Sequence, residues 1–436
     1  MMWMIVTVLL IPISLVLDLG LLTYSLYVLM AVLVLGRLLT RVWVNGLTAT
    51  RACNRKSAEI GDVVELKLTI ENTSSIPIPW LLVEDIVPKQ ALQHDPPALR
   101  LIGSRILVAM LWQNSKREIK YHLQCNQRGY YQLGPLIMET GDMFGLSRRY
   151  SVTTDPHFLM VYPKVIPLDG YHVASRRPVG EVTMSYRLFE DPTRIAGVRE
   201  YQAGDPLSRI NWKATARTGQ LQCKIFEPSS VAGATLILDF HQQSFDRRHE
   251  PVRSDQLVTC AASVANALYE INQQFGLITN GRDASDRIRL EGWGYDIRSR
   301  NVARKAGAML DENDRLRPLM LSTQRGPEQL RQTFEVLARL EKTDGLGFAE
   351  LVIETQSDLP RDASVIALLS EVSEDHVFAL EALVRQGYEV TAIIAVYDHG
   401  DFAKQSGRLI AAGVTTQHLR DESHVSIICR KIVMRG

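Results

Sequence analysis

Residues 199–220, REYQAGDPLSRINWKATARTGQ, are dense in charged side chains and include a tryptophan. Asp205 followed by Pro206 is typical of a helix N-cap and first helical residue, and Gly219 is typical of the residue just past a helix end. A short helix over 206–217 is therefore predicted. Side chains four positions apart share one face of such a helix, and here they form a charged stripe. The stripe consists of Asp205, Arg209, Lys213 and Arg217.

Three kinds of partner would satisfy this stripe, whose cations repel one another unless carboxylates lie nearby. The first is an internal ion-pair network with Glu200, Glu227 and the neighbouring domain. The second is the acidic surface of another protein, and the third is a phosphate or nucleic acid. The chain has 49 Lys and Arg against 48 Asp and Glu, a net charge of +1, so it has no global field that attracts a polyanion. We therefore expect no nucleic-acid partner.

The opposite face of the predicted helix is apolar and contains Leu207, Ile210 and Ala214. Trp212 is expected to be a packing anchor of the same helix, because large aromatic side chains are usually buried. The same expectation applies to Trp80 and Trp112, which we place in the core of an earlier domain.

Sequence patterns of common catalytic sites do not occur in this chain. There is no G-x-x-x-x-G-K-[ST] loop, no G-x-S-x-G elbow and no H-E-x-x-H pair. The 10 histidines never fall at spacings that place two of them on one helix face in an acidic context. The 5 cysteines are widely spaced and form no C-x-x-C pair, which argues against a zinc site or a disulfide framework and favours a reducing compartment. A non-enzymatic protein is expected.

Asp239 is the polar residue whose position in the predicted fold most favours a site. It follows the buried strand pattern ATLIL, and further buried strand patterns occur at 364–370 and 389–398, alternating with helical patterns. This alternation predicts a mainly parallel sheet with helices on both faces, whose ligand sites lie at the carboxyl ends of strands.

The first 36 residues are dominated by Leu, Val, Ile and Met, and Asp18 is the only charged residue among them. This run divides at Asp18-Leu19-Gly20 into two segments, each shorter than the roughly 20 residues that span a bilayer comfortably. Either the segments form a short helical hairpin, or the second one spans while the first lies at the interface. Basic residues follow at 37–56, so the downstream domains are expected in the cytoplasm.

Residues 61–165 have the alternation of half-buried strands. In DVVELKLTIEN the residues expected inside are Val64, Leu66, Leu68 and Ile70, and in REIKYHLQC they are Ile119, Tyr121, Leu123 and Cys125. Turn signals such as NTSSIPIP and NQRG separate the strands. The pattern predicts an antiparallel β-sandwich.

The segment GVREYQAGDPLSRINWKATARTGQLQCKIFE resembles the signature of the domain of unknown function 58 family, with Gly204-Asp205, Ile210, Trp212 and Ala216-Arg217 in register. IPIPWLLVEDIVP, QRGYYQLGPLIMETGDMFGLSRR and LMVYPKVIPL resemble its upstream segments. The resemblance implies a bacterial membrane-anchored protein with a von Willebrand factor A-like C-terminal domain, which acts with a MoxR-type AAA+ ATPase. The interaction residues expected from this signature are Arg199, Tyr201, Gly204, Asp205, Arg209, Trp212, Lys213 and Arg217.

A von Willebrand A-like domain implies a metal-ion-dependent adhesion site of the form D-x-S-x-S. Here the segment reads Asp239-Phe240-His241-Gln242-Gln243, so both serine positions are replaced. Gln243 and Glu371 could supply oxygen ligands beside Asp239, and Mg²⁺ is the cofactor that such a degenerate site would take. His241 is not a natural ligand of that ion.

The expected fold is therefore multidomain: N-terminal transmembrane segments, an antiparallel β-sandwich, and an α/β Rossmann-like, von Willebrand A-like domain. The domains are an anchor at 1–36, a basic juxtamembrane linker at 37–60, the sandwich at 61–165, the signature segment at 166–228 and the α/β domain at 229–436. The expected function is that of an adaptor or scaffold in the inner membrane that binds the bilayer and a MoxR-type ATPase. The alternatives are a metal-dependent binding protein or hydrolase that uses Asp239, and a structural cell-envelope protein.

Overall fold

A computed structural model describes residues 2–93, 96–142, 145, 147–167, 190–202, 210–228, 233–286, 317–360 and 363–435. The chain is multidomain. Its described residues form two compact units, the first with 2–162 and 284–286, and the second with the described parts of 163–283 and 312–435.

The chain begins with two apolar helices, α1 (Met2–Val16) and α2 (Gly20–Asn45). Asp18 adopts a left-handed conformation with φ of 55° in the turn between them. The Thr23 hydroxyl donates a hydrogen bond to Ser14 Oγ at 3.1 Å, which joins the two helices as a hairpin. Of the described helices, α2 is the one long and apolar enough to cross a membrane, by length and composition. The described chain thus has two paired helices that meet at Asp18, and of the two only α2 meets the length criterion for a span.

Helix α2 runs well past the apolar segment and includes Arg37 and Arg41. Trp43 and Leu47 belong to the core of the first unit. Residues 37–60 were predicted as a linker, whereas the structure places 47–53 and 57–59 in strands. The linker prediction treated Arg51 as one of the exposed basic residues that follow a membrane segment. In the structure its side chain is buried in an ion pair with Asp85.

The first unit consists mainly of β-strands. Its elements after α2 are β1 (Leu47–Cys53), β2 (Ser57–Glu59), β3 (Val63–Asn72), β4 (Ile78–Asp85), α3 (Lys89–Gln93), β5 (Leu99–Ile102), β6 (Ile106–Leu111), β7 (Lys116–Cys125), β8 (Gly129–Leu133), β9 (Leu136–Gly141), β10 (Arg148–Thr154) and β11 (His157–Tyr162). Two four-stranded antiparallel sheets have the orders β1-β3-β7-β5 and β10-β9-β4-β6. A third sheet, β2-β11-β8, pairs β2 and β11 in parallel.

One hydrophobic core lies between strands of both four-stranded sheets. The predicted alternation is confirmed, since Leu66 in β3 and Tyr121 in β7 are fully buried, as are the other inward positions of β3. Trp112 was predicted in this core, but it follows the last residue of β6 and is 65% exposed. Its turn reverses the chain beyond the core, so the side chain has no buried position to occupy.

The second unit contains both helices and strands. Its elements are β12 (Glu190–Glu200), α4 (Trp212–Thr218), β13 (Gln222–Pro228), β14 (Gly233–Leu238), α5 (Val252–Glu270), β15 (Gln274–Thr279), β16 (Arg282–Asp283), β17 (Leu319–Gln324), α6 (Pro327–Arg339), β18 (Leu340–Glu341), α7 (Phe348–Thr355), β19 (Ala363–Leu369), α8 (Glu374–Arg385), β20 (Val390–Ile394), α9 (His399–Ala411), β21 (Thr415–His418) and α10 (Ser423–Arg435).

Six strands form one mixed sheet with the order β17-β15-β14-β19-β20-β21. Neighbouring strands are parallel except β15 and β17. Alternate residues of β14 enter two different clusters: Leu236 packs with α5 and α10, while Ile237 packs with α7, α8 and α9. Helices therefore cover both faces of the sheet, which explains why all of β14 is buried.

The signature segment forms a two-stranded antiparallel ribbon of β12 and β13 that carries α4. Gly219 ends α4 with φ of 72°, as predicted. The helix starts later than predicted, because Ile210 is bridged to Cys223 in extended conformation and is buried. Asn211 is the N-cap, and its side chain accepts a hydrogen bond from the Ala214 N–H at 3.2 Å.

Candidate functional site

The exposed surface of the signature ribbon is the first candidate site. Three apolar side chains on β12, α4 and the residue before β13 are exposed to solvent: Val198 by 45%, Trp212 by 68% and Leu221 by 44%. Trp212 was expected to be a packing anchor. That expectation is wrong, because the ribbon buries Ile210 and Cys223 while α4 itself has no buried residue.

Cationic side chains lie beside this apolar surface. Lys213 and Arg217 are four residues apart on α4, as the predicted stripe required, and both are exposed. Within the described parts of the chain, neither makes an ion pair with a carboxylate. Of the other stripe residues, Asp205 and Arg209 lie outside the described residues, as does Gly204 of the signature.

Two further signature residues lie near the end of the ribbon. The Tyr201 N–H donates to the Leu221 carbonyl at 2.9 Å, and Arg199 is exposed opposite Cys223 in the ladder. The backbone therefore fixes the position of the ribbon end, while the charged and aromatic side chains of α4 point outward. Such a surface is suited to contact another molecule through an aromatic anchor and neighbouring cations.

Asp239 is the second candidate site, at the carboxyl edge of the six-stranded sheet. It follows β14 directly, Asn280 follows β15, and Ser370 follows β19. His376 enters from the first turn of α8. The carboxyl ends of the central strands thus bring polar side chains together where open α/β sheets place ligands.

Four donors surround the fully buried Asp239 carboxylate. Oδ1 accepts from the His241 N–H at 3.1 Å and from Asn280 Nδ2 at 2.9 Å. Oδ2 accepts from the Ser244 hydroxyl at 2.5 Å and is paired with His376 Nε2 at 3.2 Å. Burial raises the pKa of Asp239, but the hydrogen bond and charge of His376, with the hydrogen bonds of Ser244 and Asn280, outweigh it and lower the pKa below its ordinary value.

His376 is oriented from its other ring nitrogen. The Ser373 N–H donates to Nδ1 at 3.2 Å, which leaves Nε2 as the ring nitrogen whose proton points at Asp239. The Ser373 hydroxyl is 2.5 Å from the same Nδ1, and the ring stacks on Phe348 with centroids 4.8 Å apart. Ser373, His376 and Asp239 are therefore connected by successive hydrogen bonds. Ser373 Oγ also caps α8, because it accepts from the His376 N–H at 3.4 Å. The hydroxyl is held by the helix end, so we assign this chain of groups a structural role.

The structure does not bring Gln243 and Glu371 to the Asp239 carboxylate through hydrogen bonds, and both side chains are exposed while Asp239 is buried. The described residues include no group of three or more His, Cys, Asp or Glu side chains that could hold a metal ion. A cation at Asp239 would have to displace donors that already occupy both carboxylate oxygens. The groups around Asp239 are hydrogen-bond donors, which stabilise its carboxylate and are not the oxygen ligands that Mg²⁺ requires.

Comparison with known proteins gives a partial match. Residues 197–292 match a family model described as a protein of unknown function, DUF58. The chain is similar to the uncharacterized protein YeaD of Bacillus subtilis (strain 168), at 25% identity over 239 residues, which are 54% of this chain and 56% of that protein. The chain thus matches about half the length of this relative. The family resemblance of the signature is confirmed for the matched residues.

Solved structures match at low scores. The CARDB domain of a Pyrococcus furiosus protein covers 26% of this chain and 91% of its own, with a TM-score of 0.19 and 11% identity. A fragment of Escherichia coli alpha-2-macroglobulin covers 29% of this chain and 21% of its own, with a TM-score of 0.21 and 14% identity. Neither likeness carries an argument about fold or function.

Sequence reasoning missed most of the Asp239 cluster. Ser244 lies 5 residues after Asp239 in the following loop, whereas Asn280 and His376 are 41 and 137 residues away and reach it only through the sheet order. Asn280 had a usable signal, since it directly follows a buried strand, as Asp239 does. His376 had none, because it occupies the third position of an ordinary helix start.

Proposed function

We propose that this protein is a membrane-anchored, non-enzymatic adaptor that presents its signature ribbon to a cytoplasmic MoxR-type AAA+ ATPase. The observation that carries the proposal is the exposed Trp212 on α4, a helix that also exposes Lys213 and Arg217 without ion pairs in the described chain. An exposed tryptophan with neighbouring cations is the kind of anchor that protein interfaces use. The partner's surface would carry an apolar pocket with carboxylates around it.

The finer fold assignment belongs to the same proposal. We infer that the first unit is a β-sandwich, supported by its two antiparallel sheets around one core. We infer that the second unit is Rossmann-like and related to von Willebrand A domains, supported by its parallel strand order and by helices on both faces. In this assignment Asp239 occupies the ligand-binding edge, with hydrogen-bond donors in place of a metal.

The anchor is the α1–α2 hairpin, with the domains on the cytoplasmic side of the inner membrane. Its buried positions include the polar residues Thr7, Ser14 and Thr23 besides Leu26, whereas other large apolar side chains, such as Leu21 and Val28, are exposed by 88% and 65%. This distribution is the reverse of that in soluble helices and fits helices that pack together in lipid. Arg37 and Arg41 follow the apolar segment, which supports the cytoplasmic orientation.

The test is copurification of an AAA+ ATPase with the full chain from gently solubilised membranes. Trp212→Ala, and separately Lys213→Glu with Arg217→Glu, should abolish recovery of the ATPase while leaving thermal stability unchanged, because exposed substitutions shift stability by about 0.5 kcal/mol or less. Trp43→Ala is the matched control. Trp43 is 5% exposed, so its loss should cost about 3–5 kcal/mol. Undiminished recovery with the Trp212 variant would refute this use of the ribbon.

The alternatives are distinguished by two further observations. A metal-dependent binding protein or hydrolase should show a thermal shift with Mg²⁺ or Mn²⁺, and Asp239→Asn should abolish that shift. A structural envelope protein should leave no ATPase in the purified complex, although its deletion alters cell shape. The hydrogen bonds that fill both Asp239 oxygens disfavour the first alternative.

A further inference from the structure

The exposed Trp112 lies at the end of the first unit to which the membrane hairpin is attached. Gly46 directly follows α2, and its carbonyl accepts hydrogen bonds from the N–H and hydroxyl of Thr73 at 2.7 and 2.9 Å. The adjacent Asn72 is fully buried, and its Nδ2 donates to the carbonyls of Ile76 and Trp112, each at 3.0 Å. Two turns, 73–77 and 112–115, are thereby fixed beside the end of α2.

A second contact places the apolar part of α2 at the same end of the sheets. Gly36 packs so closely on Asp142 that a Cβ at position 36 would lie 3.1 Å from Asp142 Oδ2. Asp142 follows the last residue of β9, just as Trp112 follows the last residue of β6. In the ladders both strands end beside the start of β4, so Asp142 and Trp112 lie at one level of the sheet. Since α2 rises 1.5 Å per residue, its contacts at Gly36 and Gly46 span only about 15 Å.

We define the membrane-facing rim as the turns 73–77 and 112–115. Its exposed apolar side chains are Ile76, at 36%, and Trp112, at 65%. Arg117 is exposed next to the second turn, and Arg41 is exposed on α2; neither makes an ion pair within the described residues. The nearby carboxylates are already engaged, since Glu71 pairs with Lys116 at 3.0 Å and Asp142 is buried.

We propose that this rim lies on the surface of an anionic phospholipid bilayer, with Trp112 and Ile76 in the headgroup region. The inference rests on the proposed membrane anchor and extends it from the hairpin to the folded first unit. Tryptophan is enriched at membrane interfaces because its ring is apolar while its N–H can stay hydrated. Arginines without carboxylate partners favour anionic headgroups over zwitterionic ones.

A bilayer is the occupant that the position of the rim favours. The rim is joined through Thr73 and Asn72 to the segment that continues into the apolar helix, so it is held near lipid whenever the helix spans. A protein partner could bind anywhere on the first unit, so it would not explain why the exposed Trp112 lies next to the apolar helix. Exposed apolar residues further along β6, such as Val108 at 67%, are farther from α2 and provide an internal comparison.

The test uses the full chain with a polarity-sensitive fluorophore on a single engineered cysteine. Four native cysteines are buried, so Cys53→Ser removes the one that is partly accessible. Labels are placed by Trp112→Cys, Val108→Cys and Val28→Cys in separate proteins, which are reconstituted in nanodiscs of phosphatidylcholine alone or mixed with phosphatidylglycerol. Val108 is matched to Trp112 in strand face and exposure but lies about 13 Å farther along β6.

In the discs with phosphatidylglycerol, we expect the label at 112 to shift to the blue and to lose quenching by acrylamide, an uncharged aqueous quencher, relative to the label at 108. The label at 28 should be protected in both kinds of disc. Arg117→Glu should reduce the protection at 112 without changing that at 28. Protection at 112 that Arg117→Glu leaves unchanged in the discs with phosphatidylglycerol would overturn the proposal.

The two proposals fail in different ways. If the label at 28 is protected while those at 112 and 108 are equally quenched, the hairpin is in the bilayer and the rim is not, which refutes the present inference alone. If the label at 28 is quenched as freely as that at 108, the membrane anchor itself is refuted. Equal protection at 112 in both kinds of disc would contradict recognition of anionic headgroups.

Discussion

Asp239 combines complete burial with a pKa below the ordinary value of about 4, so its charge is stabilised by the folded state. Because the carboxylate is more acidic when folded, its contribution to stability is fully present above the unfolded pKa. That contribution is lost as the pH falls through the lower folded pKa. The donors around it come from β14, β15 and α8 and their following loops, so the charge joins segments far apart in sequence.

Asp239→Asn should lower the free energy of unfolding at neutral pH by about 1–3 kcal/mol, because the amide cannot accept all four hydrogen bonds. The difference from the wild type should shrink as the pH falls below about 4. Thermal unfolding of the detergent-solubilised protein from neutral to acid pH measures both effects. Asp401→Asn, at an exposed position, is the control and should follow the wild type. If the loss of unfolding free energy in Asp239→Asn did not change with pH, the packing of the side chain and not its charge would be what stabilises the fold.

Arg51 and Asp85 form the corresponding buried pair of the first unit. Arg51 contacts Asp85 through both Nη2 and Nε, and the Tyr121 hydroxyl donates to Asp85 Oδ2 at 2.7 Å. Arg51 Nη1 also donates to the carbonyls of Leu133 and Asp155 at 3.0 Å each. The guanidinium therefore connects β1 and β4 to the ends of β8 and β10.

Removing one partner of this pair should leave an uncompensated buried charge. Arg51→Met is expected to cost about 3–5 kcal/mol. Tyr121→Phe, which removes one hydrogen bond, should cost about 1–3 kcal/mol. Lys67→Ala is the control, because the Lys67–Glu118 pair is 39% and 49% exposed and should contribute at most about 1 kcal/mol. Chemical denaturation followed by hydrogen exchange of first-unit peptides measures these differences, and equal costs for buried and exposed pairs would contradict them.

At the scale of elements, α2 has two functions along one helix. Its first turns expose large apolar side chains, while its last turns pack on β9 and β10 and place Trp43 in the core of the first unit. Gly36 lies between the part of α2 that exposes apolar side chains and the part that packs on the first unit. Because it has no side chain, it permits the close contact with Asp142.

Gly36→Leu should therefore disturb the attachment of α2 to the first unit. The new side chain cannot fit against Asp142, and the expected loss is about 1–3 kcal/mol, as for other overpacked contacts. Gly20→Leu is the matched control, because nothing lies within 4 Å of a Cβ at position 20. Hydrogen exchange of α2 and β9 peptides in detergent should rise for the first variant only. Equal exchange in both variants would show that the Gly36 contact does not hold the helix.

At the scale of the whole molecule, the membrane topology that we propose depends on the hairpin. Two antiparallel helices joined by the Ser14–Thr23 contact return the chain to the side on which it started. If both helices cross, residue 2 and residue 435 must lie on the same side of the membrane, and the turn at Asp18 on the other.

Reporter fusions test this arrangement. Reporters that are active only in the cytoplasm should be active at both ends of the chain, and a small tag inserted after Asp18 should be accessible from outside. Opposite behaviour of the two ends would mean that only α2 spans. The Val28→Cys variant is the control for insertion of α2 itself, since a thiol reagent that cannot cross the membrane should not label it.

The sequence alone determined the features that depend on local periodicity. Alternation placed Leu66, Leu68, Tyr121 and Leu123 inside, since strand side chains point to opposite faces in turn. The apolar run predicted two N-terminal segments divided at Asp18, although not the length of the second helix. Gly219 predicted the end of α4, because a left-handed residue after a helix favours glycine. The signature motif also predicted the family that residues 197–292 match.

Tertiary structure decided where the tryptophans and polar clusters lie. Trp112 and Trp212 are exposed although their residue type predicts burial, because a turn and a two-stranded ribbon leave them no core to enter. The contacts of Asp239 with Asn280 and His376 depend on the strand order β15-β14-β19, which no short motif encodes. Burial and pairing depend on which segments become neighbours, and this is set by the packing of the whole chain and not by the spacing of its residues.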